Sequence, residues 1–159
     1  MVELIVVIVL IGIIGSIGVG RYFERSSFDA AAWTEQVRAM LRYGQKVAVA
    51  QNRSVFVSVT AERVSLCFAA TATCAAGNQV PAPAGGNSGS AATRAACASS
   101  TWMCEGRPAG LTMSGLPAAI AFDALGRVNG GLGSRLKVSV TGDGLTRDIG
   151  IEPETGYVD

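Results

Sequence analysis

An α+β fold, one long N-terminal helix packed on a largely antiparallel β-sheet, is predicted by three features of the sequence. Residues 2–19 are uncharged apart from Glu3 and mostly apolar. Residues 21–52 carry apolar side chains at spacings of three and four, and from residue 53 onward the apolar period becomes two. The 159 residues therefore divide into an apolar helical segment, 1–20, an amphipathic continuation of the same helix, 21–52, and a β-rich domain, 53–159, with an exposed loop at 70–110.

The apolar segment would be about 27 Å long at about 1.5 Å per residue, close to the thickness of a bilayer's hydrocarbon core. Its β-branched residues are poor helix formers in water. In lipid a lone segment must satisfy its own backbone, and a helix does so. The chain is therefore expected to be membrane-anchored here and soluble beyond Gly20. A cleavable secretory signal fits less well, because no basic stretch precedes the run and no small-x-small site with a polar break follows it.

Gly12, Gly15, Gly18 and Gly20 interrupt the segment, and Gly12, Ser16 and Gly20 repeat every four residues. Such spacing either admits a second helix at close range or merely loosens this one. A carboxylate costs about 2.5 to 3.5 kcal/mol near a bilayer centre, so Glu3 either has a partner or sits at headgroup level close to the chain end.

In the second half of the helix, Trp33, Val37, Met40, Leu41, Gly44, Val47, Ala48 and Gln51 fall on one face. Glu35, Arg38, Arg42, Gln45 and Lys46 fall on the other, and the helix is expected to end near Asn52. The whole rod would reach about 75 Å. Beyond it, Val55, Val57 and Val59, then Val64, Leu66 and Phe68, alternate with other residues around a turn at 60–63, which predicts a hairpin. Further strands are expected at 118–122, 136–141 and 147–152, with a short end piece at Tyr157. Turns such as Gly130-Gly131 and Gly142-Asp143-Gly144 separate them. Residues 75–101, rich in Ala, Ser, Gly and Asn with Pro81 and Pro83, lack periodicity and read as an exposed loop, either a subunit contact or a plain solvated insertion.

Histidine is absent and the acids are few and dispersed, which removes the commonest general base and zinc ligand. No catalytic residue, cofactor or metal is expected. A net charge of +1 gives no overall electrostatic footprint for nucleic acid. Gly130-Gly131-Leu132-Gly133 is no phosphate loop, since no Lys-Ser/Thr follows. Asp123 and Arg127 around Gly126 read as a surface turn.

Four cysteines lie outside the apolar segment, and an even count there favours disulfides in an oxidising compartment. Of three connectivities, Cys67-Cys74 with Cys97-Cys104 closes the shortest loops and is the first choice. A tetrathiolate zinc site is the alternative, although structural zinc usually takes two to four residues between paired ligands.

The string Val2-Glu3-Leu4-Ile5-Val6-Val7-Ile8-Val9-Leu10-Ile11-Gly12-Ile13 resembles the mature start of type IV pilins and type II secretion pseudopilins, whose usual opening is Phe-Thr-Leu-Val-Glu-Leu. The resemblance implies a pilin-like fold. It also implies a single-pass subunit of the bacterial inner membrane with a periplasmic C-terminal domain, which enters an extracellular filament by packing its helix on those of other pilins. In that family a glutamate neutralises the N-terminal ammonium of a neighbouring subunit, and Glu3 matches it. The family also carries a basic leader ending in Gly before Phe, cut by a prepilin peptidase. Here Met1 stands where the family has Leu, and the nearest positive charges are Arg21 and Arg25, so residues upstream are expected. Gly20 stands where many pilins have Pro, and a bend or local melting is expected between Gly12 and Gly20.

Phe28 followed by Leu41-Arg42-Tyr43-Gly44-Gln45-Lys46-Val47-Ala48, the stretch Phe122-Asp123-Ala124-Leu125-Gly126-Arg127, and Ile149-Gly150-Ile151-Glu152-Pro153-Glu154-Thr155-Gly156-Tyr157 are similar to the FimT/GspH group of minor pilins and pseudopilins. Arg21-Tyr22-Phe23-Glu24-Arg25-Ser26-Ser27-Phe28-Asp29 is similar to minor pilins of the mannose-sensitive haemagglutinin type. Some FimT-like pilins bind DNA through basic residues near the C-terminus. Here the tail Gly156-Tyr157-Val158-Asp159 ends acidic, which leaves Arg135, Lys137 and Arg147 as candidate phosphate contacts.

Overall fold

The structure is a computed structural model that describes residues 2–71, 73–115, 119–129 and 134–159, except for the side chains of 17–27 and 119. Helix α1 runs from Val2 to Ala50. It is helical throughout, including the stretch from Gly12 to Gly20 where local melting was expected. At about 1.5 Å per residue its 49 residues span about 73 Å. It ends two residues short of the expected Asn52, because Asn52 adopts a left-handed φ of 50° that turns the chain out of the helix.

Strands β1 (Val55–Val59) and β2 (Arg63–Cys67) form the expected hairpin, with Val57 opposite Leu66. Four more segments follow: helix α2 (Ala91–Ala96) and strands β3 (Cys104–Gly106), β4 (Thr112–Ser114) and β5 (Ala119–Phe122). Strands β6 (Val128–Asn129), β7 (Leu136–Gly142) and β8 (Leu145–Ile151) complete the chain. One sheet was expected, and two form. A five-stranded sheet has the order β3-β2-β1-β5-β6 and a three-stranded sheet the order β4-β7-β8, with every pairing antiparallel.

Both sheets lie on α1. Trp33, Val37, Met40, Leu41, Val47 and Ala48 are buried against Val55, Val57, Leu66, Ile120 and Phe122 of the larger sheet and Val138, Val140, Ile149 and Ile151 of the smaller. Gly44 lies on the same face, where an added Cβ would stand 3.3 Å from both Leu66 methyls, so its lack of a side chain sets how closely the helix approaches the sheet. Gln51, expected on this face, is exposed because it lies past the last helical turn.

The expectation of an exposed loop at 70–110 needs correction. Val80 and Ala82 are buried, and Cys67 and Pro81 bridge to Gln79 and Trp102 respectively. Single 3-10 turns at Ala76–Asn78 and Pro83–Gly85 lead into α2. The segment is pinned from beneath by a polar knot around Glu105, which is only 3% exposed. Its carboxylate accepts hydrogen bonds from the Ser88 amide at 2.7 Å, the Ser88 hydroxyl and the Thr93 hydroxyl at 2.6 Å. A buried carboxylate surrounded by donors rather than left bare is stable in place. Composition and periodicity give no sign of it, because the partners lie 12 and 17 residues away.

Cys67 is bonded to Cys74 and Cys97 to Cys104, with Cα–Cα distances of 5.9 Å in both. Cys97, Cys104 and Trp102 form a second small core, against which Cys74 and Ala96 pack.

Candidate assembly helix and C-terminal cleft

The N-terminal part of α1 leaves the domain behind. Every described residue from Val2 to Ser16 is exposed, including Leu4, Ile5, Val7, Ile8 and Ile11. Large apolar side chains therefore face outward on all sides of the helix, a surface far beyond what a soluble monomer normally presents. Glu3 sits in this surface, and Glu3, Leu4, Val7 and Ile8 line one side of it. A Cβ added at Gly12 or Gly15 would meet nothing within 4 Å. Ser16 satisfies its own hydroxyl by donating to the Ile13 carbonyl at 2.9 Å. Gly18, Gly20, Arg21 and Arg25 lie outside the described side chains. Among the described residues, no helix is long and apolar enough to cross a membrane.

The lower half of α1 uses its flank to hold the end of the chain. Arg38 donates to the Asp159 main-chain oxygen at 2.7 Å, Arg42 to the Val158 carbonyl at 2.8 and 3.0 Å, and Gln45 to the carbonyls of Gly126 and Thr155 at 3.1 and 2.7 Å. These three lie off the buried face, as expected, with Arg42 exposed and Arg38 and Gln45 half-buried. The missed signal is their spacing of four and three, which forms a stripe beside the buried one. The close fit also explains Gly156, whose φ is +64° and where a Cβ would lie 1.9 Å from the Gly126 oxygen.

The three residues considered as phosphate contacts are not gathered into a patch. Arg147 pairs with Val140 in the β7–β8 ladder and so lies on the helix-facing side of the sheet, whereas Lys137 lies on the outer side. Lys137 is 2.7 Å from Asp148, and Arg135 is bonded to Asp159 and lies 3.2 Å from Glu152. Alternation along strands separates Lys137 from Arg147, and acids pair with Arg135 and Lys137. Arg38, Arg135, Lys137, Asp148, Gly150 and Asp159 line a cleft of about 510 Å³ at the β8 edge.

Hydrogen bonding to Arg135, helped by the Gly150 amide, holds the Asp159 carboxyl below its ordinary value of 3.8, and Lys137 followed by Ser139 does the same for Asp148. A carboxylate whose value is depressed by folding stabilises above its unfolded value and loses that contribution as pH falls through the folded one. The Gly150 amide resonance, whose proton is donated to Asp159 Oδ1 at 2.8 Å, should therefore be constant from neutral pH down to about 5 and move only below 3.8. In Arg135→Gln the same transition should rise toward 3.8. A titration unchanged by that substitution would mean that the ion pair does not act on Asp159.

Asp123 is a turn residue, as expected. Its Oδ1 accepts the amides of Leu125 and Arg127 at 2.9 and 2.8 Å while Oδ2 lies 3.3 Å from Arg127. Among the described residues there is no group of three or more acids, cysteines or histidines able to hold a metal ion.

Two solved structures share this arrangement of a long helix on antiparallel sheets. Both are crystal forms of the type IV minor pilin FimU from Pseudomonas aeruginosa. One matches with a TM-score of 0.54 at 16% identity, covering 84% of this chain and 90% of the other, and the second with a TM-score of 0.52 at 16% identity, covering 86% and 87%. The chain has the type IV pilin fold. No family model matches the sequence, and no curated protein matches it. The likeness to that pilin fold is therefore carried by architecture, over 84% of this chain.

Proposed function

We propose that the chain is a minor pilin or pseudopilin, a structural rather than catalytic subunit. It inserts in the bacterial inner membrane through residues 2–19, with its β-domain in the periplasm, and passes into a type IV pilus or a type II secretion pseudopilus by packing α1 against the helices of other subunits. There it primes or caps the filament. The FimT/GspH group is the nearest fit to its motifs. If a leader precedes Met1, a prepilin peptidase is a further partner.

The observation that carries this reading is the fully exposed apolar surface of Val2 to Ile14 with one carboxylate, Glu3, set in it. In water that surface is unfavourable, and a bilayer followed by a bundle of like helices covers it in turn. A carboxylate in such surroundings requires a cationic partner, which a neighbour's terminal ammonium supplies.

Glu3→Ala should lower the amount of this chain in the sheared filament fraction by about tenfold or more, equivalent to about 1.4 kcal/mol of lost pairing, with its level in the membrane unchanged. Glu3→Asp should retain part of the signal. Incorporation of Glu3→Ala at the level of the unaltered chain would remove the reading's central residue.

A further inference from the structure

The four cysteines meet in one place. Ser65 of β2 lies opposite Cys104 of β3, and Cys67 follows Ser65 by two residues, so Cys67 and Cys104 point to the same face of the larger sheet. That face is opposite to the one from which Leu66 reaches Gly44 of α1. On it Cys97, Cys104 and Trp102 form the small core, and Cys74 packs against them. The two bridges are therefore neighbours in space.

Access to the sulfurs is unequal. Cys104, Cys67 and Cys97 are 0%, 1% and 9% exposed, whereas Cys74 is half-buried. The segment that carries Cys74 is lightly held. Thr71, Thr73, Ala75 and Ala76 are exposed, and among the described residues its main-chain bonds are local, from the Thr71 amide to the Ala69 carbonyl and from the Asn78 amide to the Ala75 carbonyl, both at 2.9 Å. Its base is closed by the Phe68 amide, which donates to the Asn78 carbonyl at 2.7 Å. With the Cys67–Cys74 bond open, Cys74 can swing about that base while the sheet stays whole.

We propose that Cys74 is a thiol-exchange site, where a dithiol protein reacts and from which the Cys67–Cys74 bridge relays electrons to the buried Cys97–Cys104 bridge. A thiolate of the donor attacks the Cys74 sulfur, a mixed disulfide forms, and Cys67 leaves as a thiolate and takes up a proton. The donor's second thiol loses its proton and closes on the first, so the donor becomes a disulfide and Cys74 is released as a thiolate. Cys74 then attacks Cys97, which caps the end of α2 at the rim of the small core. The Cys74–Cys97 bond forms, the Cys97–Cys104 bond breaks, and Cys104 takes up a proton. Finally Cys67 gives up its proton and attacks Cys74, which restores Cys67–Cys74 and releases Cys97 to be protonated. Two electrons and two protons have passed from the donor to Cys97 and Cys104, and the outer bridge is regenerated. Run backwards, the same steps close the buried bridge in an already folded chain, with a disulfide-bearing protein as the oxidant.

The test uses the full chain in detergent, thioredoxin as the dithiol, and quenching by a thiol-alkylating reagent, with each cysteine read by mass spectrometry. Thioredoxin whose second active-site cysteine is changed to serine should be captured on Cys74 and on no other cysteine. In Cys67→Ser, Cys74 has lost its partner, and with no donor present a measurable fraction of the chain should carry Cys74–Cys97 with Cys104 as a free thiol. With Cys67→Ser and Cys74→Ser combined, reduction of Cys97–Cys104 by thioredoxin should slow by about tenfold or more, because the buried sulfurs then react only when the small core opens. Capture needs no substitution in the chain, so it decides the matter even where a variant fails to fold. Capture on any other cysteine, a folded Cys67→Ser chain whose Cys74 stays a free thiol beside an intact Cys97–Cys104 bridge, or unslowed reduction in the double variant would overturn the proposal.

Discussion

Phe122→Ala should lower the unfolding free energy of the chain by about 3 to 5 kcal/mol, the usual loss for a fully buried phenylalanine. Phe122 is wholly inaccessible to solvent. It ends β5 between Val55 of β1 and Val128 of β6, and a Cβ added at Gly44 of α1 would lie 3.7 Å from its ring. Removing the ring leaves a cavity under the helix that neither side can close, since the sheet is fixed by its ladder and the helix by its other contacts. Total stability of single domains is only about 5 to 15 kcal/mol, so much of it would go. Urea unfolding of the solubilised chain is the measurement, with a lower midpoint and an unchanged slope expected. A loss under about 1 kcal/mol would mean that the helix does not press on the sheet at this point.

Replacing Cys97 and Cys104 together by alanine should destabilise by roughly 2 to 3 kcal/mol, the loop-closure value for so short a loop. Their separation is seven residues. The bridge ties the end of α2 to β3 beside Trp102, whose indole N–H donates to the Leu66 carbonyl at 2.7 Å. Without it, residues 97–104 are released at one end, and Trp102 fluorescence should shift toward that of a solvated indole. Adding reductant to the unaltered chain should shift the unfolding midpoint in the same direction. Identical midpoints with and without the bridge would show that the small core around Trp102 is held by packing alone.

The contrast between these two regions explains how much of the molecule is legible in its sequence. The buried face of α1 was readable because Trp33, Val37, Met40, Leu41, Val47 and Ala48 repeat a local period, and the β1–β2 hairpin because its strands are five residues each and adjacent. Strands β3, β4 and β6, of three, three and two residues, are shorter than any pattern needs to declare itself. Glu105 was invisible for a different reason: a buried acid is defined by donors elsewhere in the chain, here Ser88 and Thr93. Of the basic residues Arg135, Lys137 and Arg147, expected together on adjacent strands, Arg135 precedes β7 and Arg147 lies on the helix-facing side. The faces of Lys137 and Arg147 depended on the register that follows from the Asp143-Gly144 turn, and the pairing of Arg135 and Lys137 on Asp148, Glu152 and Asp159. At the other end, the apolar run with Glu3 in it was plain in the sequence as composition, and the structure leaves residues 2–16 of it exposed.

The grip of Arg38, Arg42 and Gln45 on the C-terminal carbonyls has a mechanical side. These bonds are ranged along the axis of α1, and they join the helix to Val158 and Asp159, which lie against β8, and to the turns at Gly126 and Thr155. Traction applied at the far end of the rod is therefore met in shear by several rungs at once, together with the apolar contacts beneath them. A sideways tug would instead open the rungs in succession, like a zip. The molecule is braced most strongly along the direction in which its own longest element points.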